Sequence, residues 1–311
     1  MSRIISRGYM VAGVSSGIPG LSWKLADRGW LGFDVDIARG IAVVLLGDDQ
    51  AVDFRSVSPS ERFEAIRSGI IDVGTFNASC TLSRELEGVS FTSIALYDGE
   101  AALVRLSANV DQLIDFERPR IAMQVGTTTP HNMALYFGQK PYELYPHDTL
   151  SAAFDFYMAG GADAVVFDAT GLAALRADLR EANEHKILSG RFSKEAMGPV
   201  TLASDASWTR TVQWVVRALI LAEEIGVSSA TARKEFENPS SMAIAQFFRI
   251  GLPLTKADKL ASERLVRLVQ AIGNYKEVFS RNLGAGSALK LERNLNSLWT
   301  DGGLLYAPPL G

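Results

Sequence analysis

Short apolar runs alternate with helix-forming patterns along the first 200 residues, and this alternation constrains the fold more than any other feature of the chain. Met10–Val14 has the composition of a buried strand, and residues 32–47 place apolar side chains on one side of a helix. Residues 70–74 form another short apolar run after a helical segment. Strands separated by helices are typical of α/β units, so we expect an α/β fold.

The length of the chain predicts two lobes, because 311 residues exceed the usual size of a single hydrophobic core. Extended apolar stretches at 101–106 and 199–203 flank a compact segment that has strand and helix patterns of its own. We therefore expect a second lobe inserted into the first and joined to it by two crossing strands. The predicted ranges are 1–105 for the first part of lobe 1, 106–200 for lobe 2, and 201–311 for the return to lobe 1 and a helical C-terminal extension.

Charge and composition exclude several classes of function. The net charge is −4 and the basic residues are scattered, which argues against nucleic acid and anionic membranes as partners. Three histidines and one cysteine have no metal-ligand spacing, so we predict no metal and no cofactor. No apolar run reaches the roughly 18 residues that span a membrane. The N-terminus lacks the apolar core of a signal peptide, so the chain as written is not addressed for export.

Two segments about 45 residues apart have the chemistry of an anion site. In the first, the Thr81 hydroxyl and the Arg84 guanidinium can both donate hydrogen bonds to a carboxylate. In the second, an apolar strand leads into Gly-Thr-Thr-Thr at 126–129 and a helix, whose first backbone N–H groups favour an anion. Taken singly, Arg84 is more typical of a solvated helix start, and the second segment is also compatible with an ordinary strand–helix turn. Together they predict a ligand held between two lobes.

Motifs along nearly the whole chain resemble one protein family. They lie at residues 7–15, 31–36, 61–63, 81–84, 126–129, 167–172, 193–199, 273–275, 282–287 and 298–309. In these motifs the chain resembles the periplasmic solute-binding proteins of polar amino-acid ABC transporters, and more narrowly the general L-amino-acid-binding subgroup. The resemblance implies a periplasmic-binding-protein-like fold of type II, whose two lobes close over the ligand.

The resemblance also implies a role for individual residues. Thr81 and Arg84 match the hydroxyl and guanidinium that hold the α-carboxylate of the ligand, and Thr128 matches a backbone donor to the same group. Asp168 matches the acid that pairs with the α-ammonium, and Ser79 matches a polar contact near the amine. This set provides both charges that a zwitterion requires.

Weaker candidates surround these five positions. Leu21 and Trp23 either roof the pocket or simply pack, and Asn77 and Thr127 are neighbours of the stronger candidates. Asp168 is also compatible with a helix-capping role.

The resulting hypothesis is a monomeric binding protein that delivers a free L-amino acid to ABC permease subunits in the membrane. Periplasmic localisation follows from the resemblance, and cytoplasmic localisation follows if Met1 is the true start. The alternative is a cytoplasmic enzyme similar to cyclohexadienyl dehydratases, or an amino-acid sensor, on the same scaffold. An enzyme needs a general acid in the cleft, for which His131 is the available candidate. Cys80 is expected to be a buried, inert thiol.

Overall fold

The computed structural model describes residues 1–15, 17–255 and 258–310, which form two α/β lobes. The helices of these residues are α1 Ser2–Arg7, α2 Phe33–Leu46, α3 Arg62–Arg67, α4 Leu82–Glu85, α5 Thr129–Phe137, α6 Leu150–Met158, α7 Ala169–Ala177, α8 Ala206–Glu224, α9 Ala232–Glu237, α10 Met242–Ile250, α11 Ala261–Ile272 and α12 Tyr275–Asn282. The strands are β1 Met10–Val14, β2 Trp23–Leu25, β3 Gly29–Leu31, β4 Val52–Ser56, β5 Val73–Gly74, β6 Val89–Phe91, β7 Leu96–Asp98, β8 Glu100–Arg105, β9 Arg120–Gln124, β10 Glu143–His147, β11 Ala164–Asp168, β12 His185–Ile187, β13 Glu195–Met197 and β14 Val200–Leu202.

The first lobe is built on a sheet with the strand order β4-β1-β5-β14-β6. Strand β1 is parallel to β4 and β5, with Ala12 opposite both Phe54 and Val73. All five residues of β1 are buried, because helices cover the sheet. The apolar side chains of α2 pack against α8 and α11, and α2 ends at Gly47 with a left-handed φ of 80°.

The second lobe is built on a sheet with the order β10-β9-β11-β8-β12. Strand β9 is parallel to β10 and β11, whereas β8 runs antiparallel between β11 and β12. Helices α5, α6 and α7 follow β9, β10 and β11 in turn. The α/β class, the insertion of the second lobe and the helical C-terminal part that were predicted from the sequence are confirmed.

The connection between the lobes differs in position from the predicted one. Strands β7 and β13 pair antiparallel, with Glu195 opposite Asp98, and they join the lobes. The predicted crossing segments at 101–106 and 199–203 instead contribute β8 to the second sheet and β14 to the first. Their apolar character reflects burial within a sheet, whereas the connecting strands carry polar side chains such as Asp98 and Glu195. Strand β8 lies in the predicted range 1–105 but pairs in the second sheet; the domain limits themselves stay a prediction.

Helix α3 begins later than its sequence predicts. The Ser58-Pro-Ser-Glu motif was expected to start the helix, but it forms a turn in which Ser58 Oγ donates to Glu61 Oε2 at 2.5 Å. The backbone N–H of Glu61 also donates to the Ser58 carbonyl at 3.1 Å. The helix therefore begins at Arg62, one turn before the buried Ile66.

The C-terminal part is hydrogen-bonded to β7 and to Ala95, the residue that precedes it. Asn296 uses its side chain to bond both the N–H and the carbonyl of Tyr97 in β7, at 2.7 and 2.8 Å. Tyr275 donates its hydroxyl to the carbonyl of Ala95 at 2.7 Å. Among the described residues, no helix is both long enough and apolar enough to cross a membrane.

Candidate functional site

A narrow cleft separates the two sheets, and it collects charged side chains from both lobes. Its lining residues are Arg62, Asn77, Ser79, Arg84, Glu100, Thr127, Thr128, Phe167 and Asp168. The first-lobe members lie on α3, α4 and the loop after β5, and those of the second lobe lie on β8, on β11 and after β9. The cleft therefore contains Arg84, Asp168, Ser79 and Thr128 of the five main candidates, together with Asn77 and Thr127.

Arg84 is held in the cleft by the short helix α4. Its Nη1 donates to the Ser79 carbonyl at 2.7 Å, and its guanidinium lies 5.5 Å from the centre of the Phe63 ring. Burial lowers the pKa of Arg84, while the carboxylates of Glu195 and Asp168 act in the opposite direction. An arginine remains charged at neutral pH under these conditions. The side chain therefore supplies a fixed positive charge with donors left for a ligand.

Thr81 lies at the N-cap of α4 rather than in the lining of the cleft. Its hydroxyl accepts the backbone N–H of Arg84 at 3.3 Å and contacts Ser83 Oγ at 3.1 Å. Ser79, two residues earlier, faces the cleft. The structure thus assigns Thr81 a local role in setting the start of α4, which in turn orients Arg84; its predicted contact with a carboxylate stays a prediction.

A second cation, Arg62, was not among the candidate site residues. The residue is only 4% exposed, and burial followed by the charge of Arg84 lowers the pKa of Arg62 to about 9. Its Nη1 donates to the Asn77 carbonyl at 3.3 Å, but its Nε has no hydrogen-bond partner within the described residues. The available sequence signal was its spacing, since Arg62 and the buried Ile66 are four residues apart on one helix face.

Asp168 ends β11 and faces Asn77 across the cleft, accepting from its Nδ2 at 2.9 Å. It occupies the N-cap of α7, yet within the described residues it makes no side-chain capping bond; the N–H of Thr170 is taken by Asp98 instead, at 3.0 Å. Its carboxylate is therefore left for the cleft. Burial raises the pKa of Asp168 well above its usual value, and the charges of Asp98, Glu195 and Glu100 raise it further.

The Gly-Thr-Thr-Thr segment brings α5 to the first lobe. Gly126 has a φ of 71°, and a Cβ at this position would lie 2.9 Å from the backbone nitrogen of Ser60. Only glycine permits this close approach. Thr128 is the N-cap residue of α5, but its hydroxyl donates to Glu195 Oε1 at 3.3 Å. Thr127 donates to the carbonyl of Gln124 at 2.8 Å, which shapes the turn.

Two further carboxylates, Glu100 and Glu195, were also missed by sequence reasoning. Glu100 accepts hydrogen bonds from Thr129 and, at 2.8 Å, from Asn132. Burial raises the pKa of Glu100 and that of Glu195, while hydroxyl donors act against the shift in both cases. For Glu100 the sequence signal is an acid at the edge of the apolar run 101–104, and Glu195 lies in the motif 193–199, which carries the family resemblance and implies no site role for this residue.

The weaker apolar candidates lie outside the lining of the cleft. Leu21 is 1% exposed and packs in the core, and Gly32 approaches its carbonyl closely. Trp23 is half-buried in β2, paired with Leu31 of β3. Cys80 is partly buried and packs against the apolar cluster under α3, and burial raises the pKa of its thiol. His131 is exposed on α5.

Comparison with known proteins shows which protein family the chain resembles in sequence. Residues 10–274 match the model of the bacterial extracellular solute-binding proteins, family 3. The chain is 35% identical to the general L-amino acid-binding periplasmic protein AapJ of Rhizobium johnstonii, over 100% of this chain and 92% of that protein. It is 34% identical to the glutamate/glutamine/aspartate/asparagine-binding protein BztA of Rhodobacter capsulatus, over 99% and 92%.

A solved structure extends the likeness to the whole fold. The periplasmic binding protein of an ABC transporter from Brucella ovis, with glutathione bound, superposes with a TM-score of 0.94 at 32% identity, covering 100% of this chain and 98% of that one. A point mutant of arginine-bound ArgBP from T. maritima superposes with a TM-score of 0.61 at 27% identity, covering 70% of this chain and 99% of that one. The chain belongs to the bacterial extracellular solute-binding proteins, family 3.

Proposed function

We propose that this protein captures a free L-amino acid between its lobes and delivers it to the membrane subunits of an ABC transporter. The observation that carries the proposal is that Arg84 of the first lobe and Asp168 of the second line the same cleft. They supply opposite charges from opposite sides. A ligand with one carboxylate and one ammonium can pair with both only when the lobes are closed, so binding and closure are linked.

The balance of charges in the cleft fits such a ligand. Arg84, with Arg62 beside it, forms a cationic side in the first lobe, where guanidinium groups can bind a carboxylate bidentately. Asp168 forms the anionic side with Glu100 nearby. An α-carboxylate at Arg84 and an α-ammonium at Asp168 would lower the electrostatic cost of keeping these groups buried.

The names of the relatives support an amino acid as the ligand, since AapJ and BztA are both described as amino-acid-binding proteins. We extend the same inference to location and partners. The protein acts in the periplasm as a monomer, and its partners are the permease subunits of the transporter. Binding takes place without turnover: the relatives are binding proteins, and the one histidine considered as a general acid, His131, is exposed on α5.

Titration calorimetry with each of the twenty L-amino acids, and with glutathione as a further probe, tests the proposal. The protein should bind at least one L-amino acid with a stoichiometry of one, and the ligand should be recovered chemically unchanged. Arg84→Ala should weaken this binding about 100-fold, because it leaves a buried carboxylate without its partner. Arg118→Ala is the matched control, since Arg118 is exposed on the second lobe and pairs with Glu143. The absence of amino-acid binding, or consumption of the ligand, would refute the proposal.

A further inference from the structure

Glu195 lies where the two lobes and their connection meet. It is the first residue of β13, paired with Asp98 of β7 at the end of the connecting strands that faces the second lobe. Its carboxylate is buried, with the residue only 3% exposed. From this position it reaches a serine of the first lobe and the start of α5 in the second.

Four donors converge on this one carboxylate. Ser79 Oγ bonds to Oε2, Ser193 Oγ lies 2.5 Å from Oε1, and Thr128 Oγ1 and Asn132 Nδ2 each lie 3.3 Å from Oε1. An ionised carboxylate can only accept hydrogen bonds, so each hydroxyl in the set must donate its single proton to Glu195. Ser79 and Thr128 also line the ligand cleft. Their oxygens then present lone pairs, and no proton, to a ligand.

We propose that Glu195 is a positioning residue that makes the hydroxyls of Ser79 and Thr128 acceptors for the ammonium group of the ligand. The inference rests on the function proposed above and deepens it. An ammonium group has three donors and requires three acceptors, which Asp168, Ser79 and Thr128 provide from both lobes. The carboxylate of the ligand is excluded from these oxygens by repulsion between lone pairs. It is left to the guanidinium side of the cleft and to backbone N–H donors such as the one predicted at Thr128, so Glu195 fixes the direction in which a zwitterion binds.

If Glu195 had a purely structural role, its carboxylate would be needed to hold the segment that carries Ser79 in place. The segment that carries Ser79 is already attached to β13 through its backbone, by a bridge between Ser79 and Met197 and by a bond from the Cys80 N–H to the Ala196 carbonyl at 2.8 Å. Removing the charge of Glu195 should therefore leave this segment in place. Burial raises the pKa of Glu195, but its hydroxyl donors and the charge of Arg84 act to keep the carboxylate ionised.

The test is a double-mutant cycle measured by calorimetry with the L-amino acid that binds the parent protein most tightly. Glu195→Gln should weaken binding at least tenfold, because the amide NH₂ donates a hydrogen bond and turns a neighbouring hydroxyl so that it can donate toward the ligand. In a Ser79→Ala, Thr128→Val background, the same substitution should change affinity less than threefold, because the hydroxyls through which it acts are gone. Glu237→Gln, at an exposed glutamate of α9, is the matched control and should bind like the parent.

The outcomes separate this inference from the proposed function. If the parent binds an amino acid and Glu195→Gln binds it equally well, the inference is wrong and the function stands. An undiminished tenfold loss in the background without the hydroxyls would also overturn it, because Glu195 would then act by another route. Should Glu195→Gln fail to fold, Ser79→Ala alone provides the test: it should weaken binding about tenfold, and unchanged affinity would refute the inference. A parent that binds no amino acid refutes the proposed function itself.

Discussion

Replacing Asp168 with asparagine should weaken ligand binding and at the same time stabilise the ligand-free protein. The side chains are nearly identical in shape, and the asparagine oxygen can still accept the Nδ2 donor of Asn77, which lies 2.9 Å from Asp168. What changes is the charge. In the ligand-free protein that charge is buried near three other carboxylates, those of Asp98, Glu195 and Glu100, and they raise its pKa together with burial.

The expected loss of affinity follows from the burial of Asp168. Removing one partner of a buried ion pair costs about 3–5 kcal/mol. We take the lower end, about 3 kcal/mol, because Glu100 remains in the cleft as a second acceptor for the ammonium group. This corresponds to an increase of about two orders of magnitude in Kd.

The gain in stability follows from linkage. A carboxyl group whose folded pKa is raised above its unfolded value contributes stability that is lost as the pH rises through the folded value. Above the unfolded pKa of an aspartate, Asp168 therefore destabilises the ligand-free protein relative to asparagine, and Asp168→Asn should raise the unfolding midpoint at neutral pH, with the difference disappearing below about pH 4. Thermal unfolding without ligand and calorimetry with it provide the two measurements. A variant that binds as tightly as the parent, or that is less stable without ligand at pH 7, would refute the assignment of Asp168 as the ammonium partner.

Three further predictions concern the same molecule. Ligand binding should weaken as the pH falls through the raised pKa of Asp168, because the ammonium group of the ligand favours the ionised acid. For the same reason, binding should release protons in that pH range. Equal calorimetric heats in buffers of different ionisation enthalpy would contradict this prediction. Gly32→Ala should lower the free energy of unfolding by at least about 2 kcal/mol in urea titrations, because a Cβ at φ 129° would lie 2.1 Å from the Leu21 carbonyl oxygen. Gly190→Ala is the control: a Cβ at Gly190 would have no atom within 4 Å, so this variant should be nearly as stable as the parent. Asn296→Ala should cost about 2 kcal/mol in the same assay, because both backbone groups of Tyr97 lose a buried partner; an unchanged midpoint would mean that water replaces it.

Local patterns in the sequence were sufficient to predict most elements of the two lobes. Strand β1, helix α2 with its terminal Gly47, and helix α5 after Thr128 each depend on hydrophobic periodicity and capping within a single segment. The connecting strands were misplaced for a physical reason. β7 and β13 are only three residues long and carry polar side chains such as Asp98, so they lack the apolar signal that marks a buried strand.

The candidate site was predictable where the resemblance supplied positions, and less so where the contacts depend on tertiary structure. Arg84 and Asp168 lie in the cleft, whereas Thr81 is directed to the start of α4. Arg62 and Glu195 were overlooked because a charged residue in one segment is normally solvated. For Arg62 the spacing to the buried Ile66 was the available signal, whereas the contacts of Glu195 come from both lobes, through Ser79 and Thr128, and no pattern within a single segment records them.

A crystal structure of the protein with its tightest-binding L-amino acid would test the central claim most directly. In that structure the α-carboxylate oxygens should lie about 3 Å from the guanidinium of Arg84, and the α-nitrogen should lie about 3 Å from the carboxylate of Asp168. A ligand bound outside this cleft, or bound with its carboxylate toward Asp168 and its ammonium toward Arg84, would contradict it.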